Sequence, residues 1–330
     1  MKPITFLLLI LCLTACCNLQ PVETKKPEAK THSSYPLSAW MTHVPNNTLV
    51  AKLSLPGTHD TGAYVTGGPM IITQDLSVEQ QLKAGIRAMD IRLVAMNNTH
   101  LEIFHGIAAQ NLNFETDVLQ EVISFLRQNP SETIVITLRK ELDDRNSPRG
   151  YVALLREILE KAEYVHYIIN DFKENMTLAE ARGKILFISR NDLGTPIIGG
   201  VFSGWPDNTT FTRNIIGTQA TTKVHVEDYY QVGTILRKDI NKKRNAIYQN
   251  LVMASENTNA NYDWFITFTS GTGAGAYPNA VADRVNKPVA EYIVKNNLAS
   301  CGIVLMDFAG TPSGRQLIEA IIETNKGLRP

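Results

Sequence analysis

From about residue 50 to the C-terminus, short apolar or β-branched runs alternate with helical stretches, and run after run ends in an ionisable side chain. The runs lie at 50–55, 86–92, 101–105, 133–140, 184–190, 223–227, 263–269 and 303–308. Between them, 115–128 places Val118, Leu119, Val122, Ile123 and Leu126 on one helix face, and 232–256, 289–297 and 313–325 behave alike. Such alternation builds a parallel sheet, because a strand that returns parallel needs a long crossover, usually a helix. Eight runs with no linker between them predict a single distorted TIM-type (β/α)8 barrel over 35–330. The gap between the second and third runs is too short for a helix, so that unit departs from the ideal.

Active sites of this barrel gather at the C-terminal ends of the strands. There the sequence puts His59 after the first run, Asp90 and Arg92 at the end of the second, and His105, Lys140 and Arg190 at the ends of the next three. Asp228 follows the sixth run and Asp307 ends the eighth. Packing does not explain buried runs that end so regularly in charge. The pattern predicts one polar pocket.

The 32 basic and 32 acidic side chains cancel, which excludes the basic footprint of a nucleic-acid binder. With 44% hydrophobic residues the chain is not intrinsically disordered. No internal run reaches the roughly 18 apolar residues of a transmembrane helix.

The first residues read as an export signal, with Lys2 as the positive region and 4–13 as the apolar one. Leu13-Thr14-Ala15-Cys16 resembles the lipobox of bacterial lipoproteins, which predicts a signal peptide over 1–15, lipid on Cys16 and a polar tether over 16–34. The protein is then exported and held at a membrane of the cell envelope; the alternative is an ordinary secretory signal ending near Ala15. Of the four cysteines, Cys12 leaves with the signal, Cys17 sits in the tether and only Cys301 falls in the barrel. No internal disulfide framework is expected.

Among seven histidines, His59 and His105 stand apart, each at a strand end beside glycine. As a pair in one pocket they supply a base and an acid near neutral pH. An arginine fork such as Arg92 matches phosphate oxygens. No phosphate-binding glycine loop, G-x-S-x-G elbow, H-E-x-x-H or paired-cysteine spacing is present. Base, acid and guanidinium together suit phosphodiester cleavage by a hydroxyl within the substrate.

The segments LSLPGTHDTGAY (53–64), GIRAMDIRL (85–93), FHG (104–106) and NPSETIVITLRKE (129–141) resemble bacterial phosphatidylinositol-specific phospholipase C. So do ARGKILFISR (181–190), GWPDNTTF (204–211), VEDYY (226–230), ITFTS (266–270) and VLMDF (304–308), in order to the C-terminus. The resemblance implies a lyase that releases diacylglycerol and inositol 1,2-cyclic phosphate from phosphatidylinositol-containing membranes, as a monomer. It implies His59 as general base oriented by Asp307, His105 as general acid assisted by Asp60, and Arg92 as the phosphate ligand with Asp90 beside it. Lys140, Arg190 and Asp228 match the residues that hold inositol hydroxyls, and Tyr230 the ring under the sugar. No calcium or other cofactor is required on this reading.

Alternatively, Asp60 is a helix N-cap, Asp90 a buried ion-pair partner, and Lys140 a surface partner of Glu141. Tyr229 and Tyr230 are adjacent, so in an extended segment only one faces the pocket. The chain also departs from the family's secreted members, which carry exposed tryptophans at two rim sites; here those sites read Met70-Ile71-Ile72 and Tyr277. Two rival functions are a glycerophosphodiester phosphodiesterase, which needs a metal cage of carboxylates, and a lipoprotein that binds inositol headgroups without cleaving them.

Overall fold

A computed structural model describes residues 36–257 and 262–328. The signal, the tether and the lipidation site at Cys16 lie outside the described residues. The strands are β1 (Leu55–Thr58), β2 (Ala88–Met96), β3 (His100–His105), β4 (Ala108–Asn113), β5 (Ile134–Lys140), β6 (Ile185–Ser189), β7 (Gly200–Phe202), β8 (Thr209–Ile216), β9 (Thr221–Asp228), β10 (Gln231–Gly233), β11 (Trp264–Phe268), β12 (Thr272–Gly273) and β13 (Ile303–Met306).

The ring runs β1-β13-β11-β9-β8-β7-β6-β5-β2 and closes through a β1–β2 pairing. All its members run parallel except β8, which is antiparallel to both neighbours. The barrel therefore has the predicted number of eight parallel strands, seven of them predicted runs and the eighth β7, with the antiparallel β8 inserted. Three of its parallel strands are sequestered on both faces: Ile185–Ser189, Trp264–Phe268 and Ile303–Met306 are buried at every position, as expected of parallel strands between helices and a filled interior.

The helices are α1 (Val78–Lys83), α2 (Gln120–Gln128), α3 (Gly150–Leu159), α4 (Leu178–Ala181), α5 (Arg237–Glu256), α6 (Pro278–Lys295) and α7 (Pro312–Thr324). A reciprocal cap between Ser77 and Gln80 starts α1. Thr311 caps α7, with Pro312 in its first turn. The apolar stripe expected over 115–128 is buried as a π-helical turn (Phe114–Leu119) running into α2.

Three strand expectations shift. Residues 50–52 form a 3-10 turn and the first strand is Leu55–Thr58, across a Pro-Gly pair that pattern reading treats as a breaker. Gly57 is required there: a Cβ would stand 2.8 Å from the Ala88 carbonyl oxygen and 2.6 Å from Leu305. The third run, 101–105, is a strand but not a barrel strand. It pairs antiparallel with β2 and forms a hairpin with β4, which explains why no helix fits before it. Finally, β7 and β8 were not anticipated. β7 has three residues, and β8 (TTFTRNII) is polar and largely exposed, so neither is an apolar run.

Candidate active site

The site is built on one edge of β2. Its other edge pairs with β5 from Ala88 to Leu93. On the site edge, Ala88 and Met89 pair with β1 running the same way, whereas Leu93 to Met96 pair with β3 running back. β1 and β3 therefore point their C-terminal ends at each other across the middle of β2. His59 follows one end and His105 forms the other, and their ring centroids lie 6.2 Å apart. Asp90 and Arg92, two residues apart, share the face of β2 that looks into the gap.

The hydrogen bonds set the protonation of His59. Its Nδ1 lies 2.8 Å from Asp307 Oδ1, and Arg92 Nη2 donates to its Nε2 at 2.8 Å. Both partners agree only if the neutral ring carries its proton on Nδ1 and its lone pair on Nε2. Arg92 also reaches Asp60 Oδ1 through Nε (2.8 Å), Asp90 Oδ2 (3.2 Å) and Glu141 Oε1 (3.6 Å). Asp60 Oδ2 lies between the two imidazoles, 3.2 Å from His59 Nε2 and 3.4 Å from His105 Nε2, without a hydrogen bond of its own. Asp60 thus faces both rings and caps no helix. The residues after both members of the His59–Asp307 pair take left-handed backbone, Asp60 at φ 42° and Phe308 at φ 52°. Asp tolerates that region and phenylalanine rarely does, so Phe308 carries backbone strain beside the pair.

Burial, reinforced by the Arg92 guanidinium, holds the His59 imidazole well below its ordinary value, so it is a neutral base near pH 7. Burial pushes Asp60 up from 3.8 to about 6, with Arg92 and His105 pulling the other way. Burial opposes ionisation of Asp90 too, but Arg190 and Arg92 outweigh it and hold that carboxyl well below its usual range. Asp90 is thus the buried ion-pair partner that one reading of the sequence allowed, and it shapes the site as well: Arg190 Nη2 and Thr137 Oγ1 each bond its Oδ1 at 3.0 Å. Opposite charges in a protein interior also align the guanidinium.

A cavity of about 540 Å³ opens from His59, Arg92 and His105 toward Lys140, Arg190, Asp228 and Tyr230. His59, His105, Lys140, Arg190, Asp228, Tyr230 and Asp307 reach the cavity from a strand end or the loop just after it, whereas Arg92 reaches it from the middle of β2, which runs on to Met96 instead of ending at residue 92 as expected. Lys140 bonds Asp144 (3.0 Å), not Glu141. Tyr230 lines the cavity and donates to Asp207 (2.9 Å), while the ring of Tyr229 lies under Lys242.

Sequence reasoning missed three members. Trp205 stacks on the Arg190 guanidinium at 3.8 Å and donates from Nε1 to Asp228 at 2.8 Å, tying the residue after β6 to the end of β9. Glu141 accepts from the Gly106 amide at 2.9 Å and so links the His105 turn to the Arg92 neighbourhood. Asp207 lies beside Tyr230 in the same loop as Trp205. The only signal was their presence in the GWPDNTTF and TLRKE segments. The carboxylates Asp60, Asp90 and Glu141 surround the Arg92 guanidinium, and among the described residues no group of three or more His, Cys, Asp or Glu side chains is placed to hold a metal ion.

The family model described as phosphatidylinositol-specific phospholipase C, X domain, matches residues 57–191. The chain is 30% identical over 298 residues to a 1-phosphatidylinositol phosphodiesterase of Listeria monocytogenes, covering 87% of this chain and 84% of that one. A protein of the same name from Staphylococcus aureus is 29% identical over 305 residues, covering 87% and 94%. Among solved structures, phosphatidylinositol-specific phospholipase C from L. monocytogenes superposes with a TM-score of 0.68 at 28% identity, over 88% of this chain and 99% of that one. A mutant of the S. aureus enzyme gives 0.77 at 24% identity, over 88% and 99%, a likeness of fold. From the likeness over nearly all of the barrel, the chain belongs to the bacterial phosphatidylinositol-specific phospholipase C family.

Proposed function

We propose that this chain is a phosphatidylinositol diacylglycerol-lyase, working by general acid–base catalysis without a metal. One observation carries the mechanism: two imidazoles bracket Asp60 Oδ2, and a guanidinium bonds the nitrogen that must accept the proton. The inositol 2-hydroxyl takes the place of Arg92 Nη2 at His59 Nε2, and its proton passes there as its oxygen attacks phosphorus. Asp307 stabilises the resulting imidazolium through Nδ1. The bond from phosphorus to the glycerol oxygen breaks, and that oxygen takes the proton on His105 Nε2. Arg92, whose Nη2 is released from His59 as the hydroxyl enters, neutralises the phosphoryl charge from a guanidinium that Asp60, Asp90 and Glu141 hold in position. Arg190, Asp228, Lys140 and Tyr230 receive the inositol hydroxyls.

The export signal at 1–15 and the Cys16 motif support a lipid-anchored enzyme at the cell envelope, acting as a monomer on phosphatidylinositol-containing membranes. No helix among the described residues is long and apolar enough to cross a membrane. The assay is thin-layer separation of products from phosphatidylinositol vesicles in excess EDTA. Diacylglycerol with inositol 1,2-cyclic phosphate is the expected result. Release of glycerol-phosphate products only after metal addition would instead indicate a phosphodiesterase of the other class, and binding without turnover a headgroup receptor.

A further inference from the structure

The two histidines are oriented by different kinds of group. His59 Nδ1 meets a carboxylate, whereas His105 Nδ1 lies 2.6 Å from the main-chain carbonyl oxygen of Ile71. A carbonyl oxygen only accepts, so Nδ1 of the neutral ring is the protonated nitrogen, and a second proton goes to Nε2. Nε2 is the nitrogen beside Asp60 and the cavity. The Ile71 carbonyl thereby places the transferable proton where a leaving group can take it.

Ile71 belongs to the irregular segment 65–72, and its position depends on a buried side chain that has no place in the reaction. Gln110, on β4, is fully buried. Its Oε1 accepts from the amides of Val65 (3.3 Å) and Thr66 (3.1 Å), and its Nε2 donates to the Thr66 carbonyl at 3.0 Å. The Thr66 hydroxyl donates to the Ala109 carbonyl alongside. Within the segment, the Ile71 and Ile72 amides both donate to the Gly68 carbonyl, at 2.9 and 3.1 Å, folding a turn whose tip presents the Ile71 carbonyl. The β3–β4 hairpin thus grips the segment twice, through Gln110 near its start and His105 near its end.

We propose that Gln110 is a positioning residue for the general acid: by registering segment 65–72 on the hairpin, it fixes the Ile71 carbonyl on His105 Nδ1 and so selects the ring tautomer. This rests on the acid role of His105 proposed above. Gln110→Met keeps the volume and removes all three hydrogen bonds. In Gly67→Ala, a Cβ at φ +116° would stand 2.5 Å from the Ile71 Cβ, so the turn is displaced from the other side.

The tautomer is read by nitrogen-15 NMR of the histidine rings, with folding followed by circular dichroism. Wild type should show His105 with its proton on Nδ1, and each folded variant should show a mixture. Turnover of phosphatidylinositol should fall by about 10²-fold, the lower end of what a general acid contributes. An inositol phosphodiester with a nitrophenolate leaving group, which needs no protonation, should be cleaved at the wild-type rate. An unchanged tautomer in the variants, or equal losses on both substrates, overturns the inference. Wild type that cleaves neither substrate overturns the proposed function instead, and the ring tautomers then still decide the role of Gln110. If Gln110→Met does not fold, Gly67→Ala, at an exposed position, carries both readouts.

Discussion

Asp60→Asn should make the protein more stable at pH 8 and nearly inactive, because the site holds Asp60 as a buried charge against its own preference. The Asp60 side chain is buried and its carboxyl is raised from 3.8 to about 6, burial being the largest cause. The folded state therefore binds the proton more tightly than the unfolded chain. The corresponding stability is fully present below pH 3.8, declines through about 6 and is gone above it. The difference between 3.8 and about 6 corresponds to about 3 kcal/mol. Asparagine cannot ionise, so the variant lacks this decline. Titrating groups that do not interact with Asp60 act alike in both proteins and drop out of the difference. Glu227, raised by burial from 4.5 to about 7 against the pull of Lys243, is one of these. Asp307, which the Asp60 charge pushes up, is instead relieved in the variant and adds to its gain. Urea unfolding of both proteins from pH 3.5 to 8 measures the gap. The variant should gain on wild type by up to about 3 kcal/mol from Asp60 itself between pH 4 and 6.5, then run parallel. The acid limb of wild-type kcat/KM should fall in the same window and report Asp60, since burial and Arg92 hold the His59 imidazole well below its ordinary value. A pH-independent gap, or an acid limb unchanged in Asp60→Asn residual activity, would refute the reasoning.

His105→Ala should lower turnover of phosphatidylinositol by about 10²–10⁴-fold yet spare the nitrophenolate substrate, whereas His59→Ala should lose both; rates on the two substrates decide. Arg92→Lys keeps the charge but loses the planar fork that spans His59, Asp60 and Asp90, and a loss of at least about 10²-fold is expected; wild-type activity should survive EDTA, and restoration by calcium would contradict the role given to Arg92. Lys243→Met strands Glu227, with which Lys243 forms a fully buried pair at 2.9 Å, and should cost about 3–5 kcal/mol in urea unfolding. Cys16→Ser should move the protein from membrane to soluble fractions without changing activity on dispersed substrate; mass spectrometry showing no lipid on the wild type would refute the anchor.

The residues of the pocket were legible because a buried parallel strand is written as a continuous apolar run. Where such a run carries Asp90 and Arg92, or is followed by Asp307, the charge stands out against it. Residues outside that code were not legible. β8 is half exposed and antiparallel, so Thr209–Ile216 carries no apolar signature. Trp205 is in a loop, where no periodicity marks it, and its importance lies wholly in reaching Arg190, just after β6, and Asp228, at the end of β9.

The sequence by itself determined the class of barrel, the polar strand ends and the family, since these depend on local patterning and on ordered motifs. Only the tertiary structure decided that β1 and β3 share one edge of β2, which turns His59 and His105 toward each other from opposite directions. Only it decided that Arg92 sits among three carboxylates, and that Asp60 lies between the imidazoles. The physical reason is that strand pairing and burial are set between segments far apart in the chain. The same pairing and burial determine which nitrogen of each ring holds a proton and how far each carboxyl is pushed.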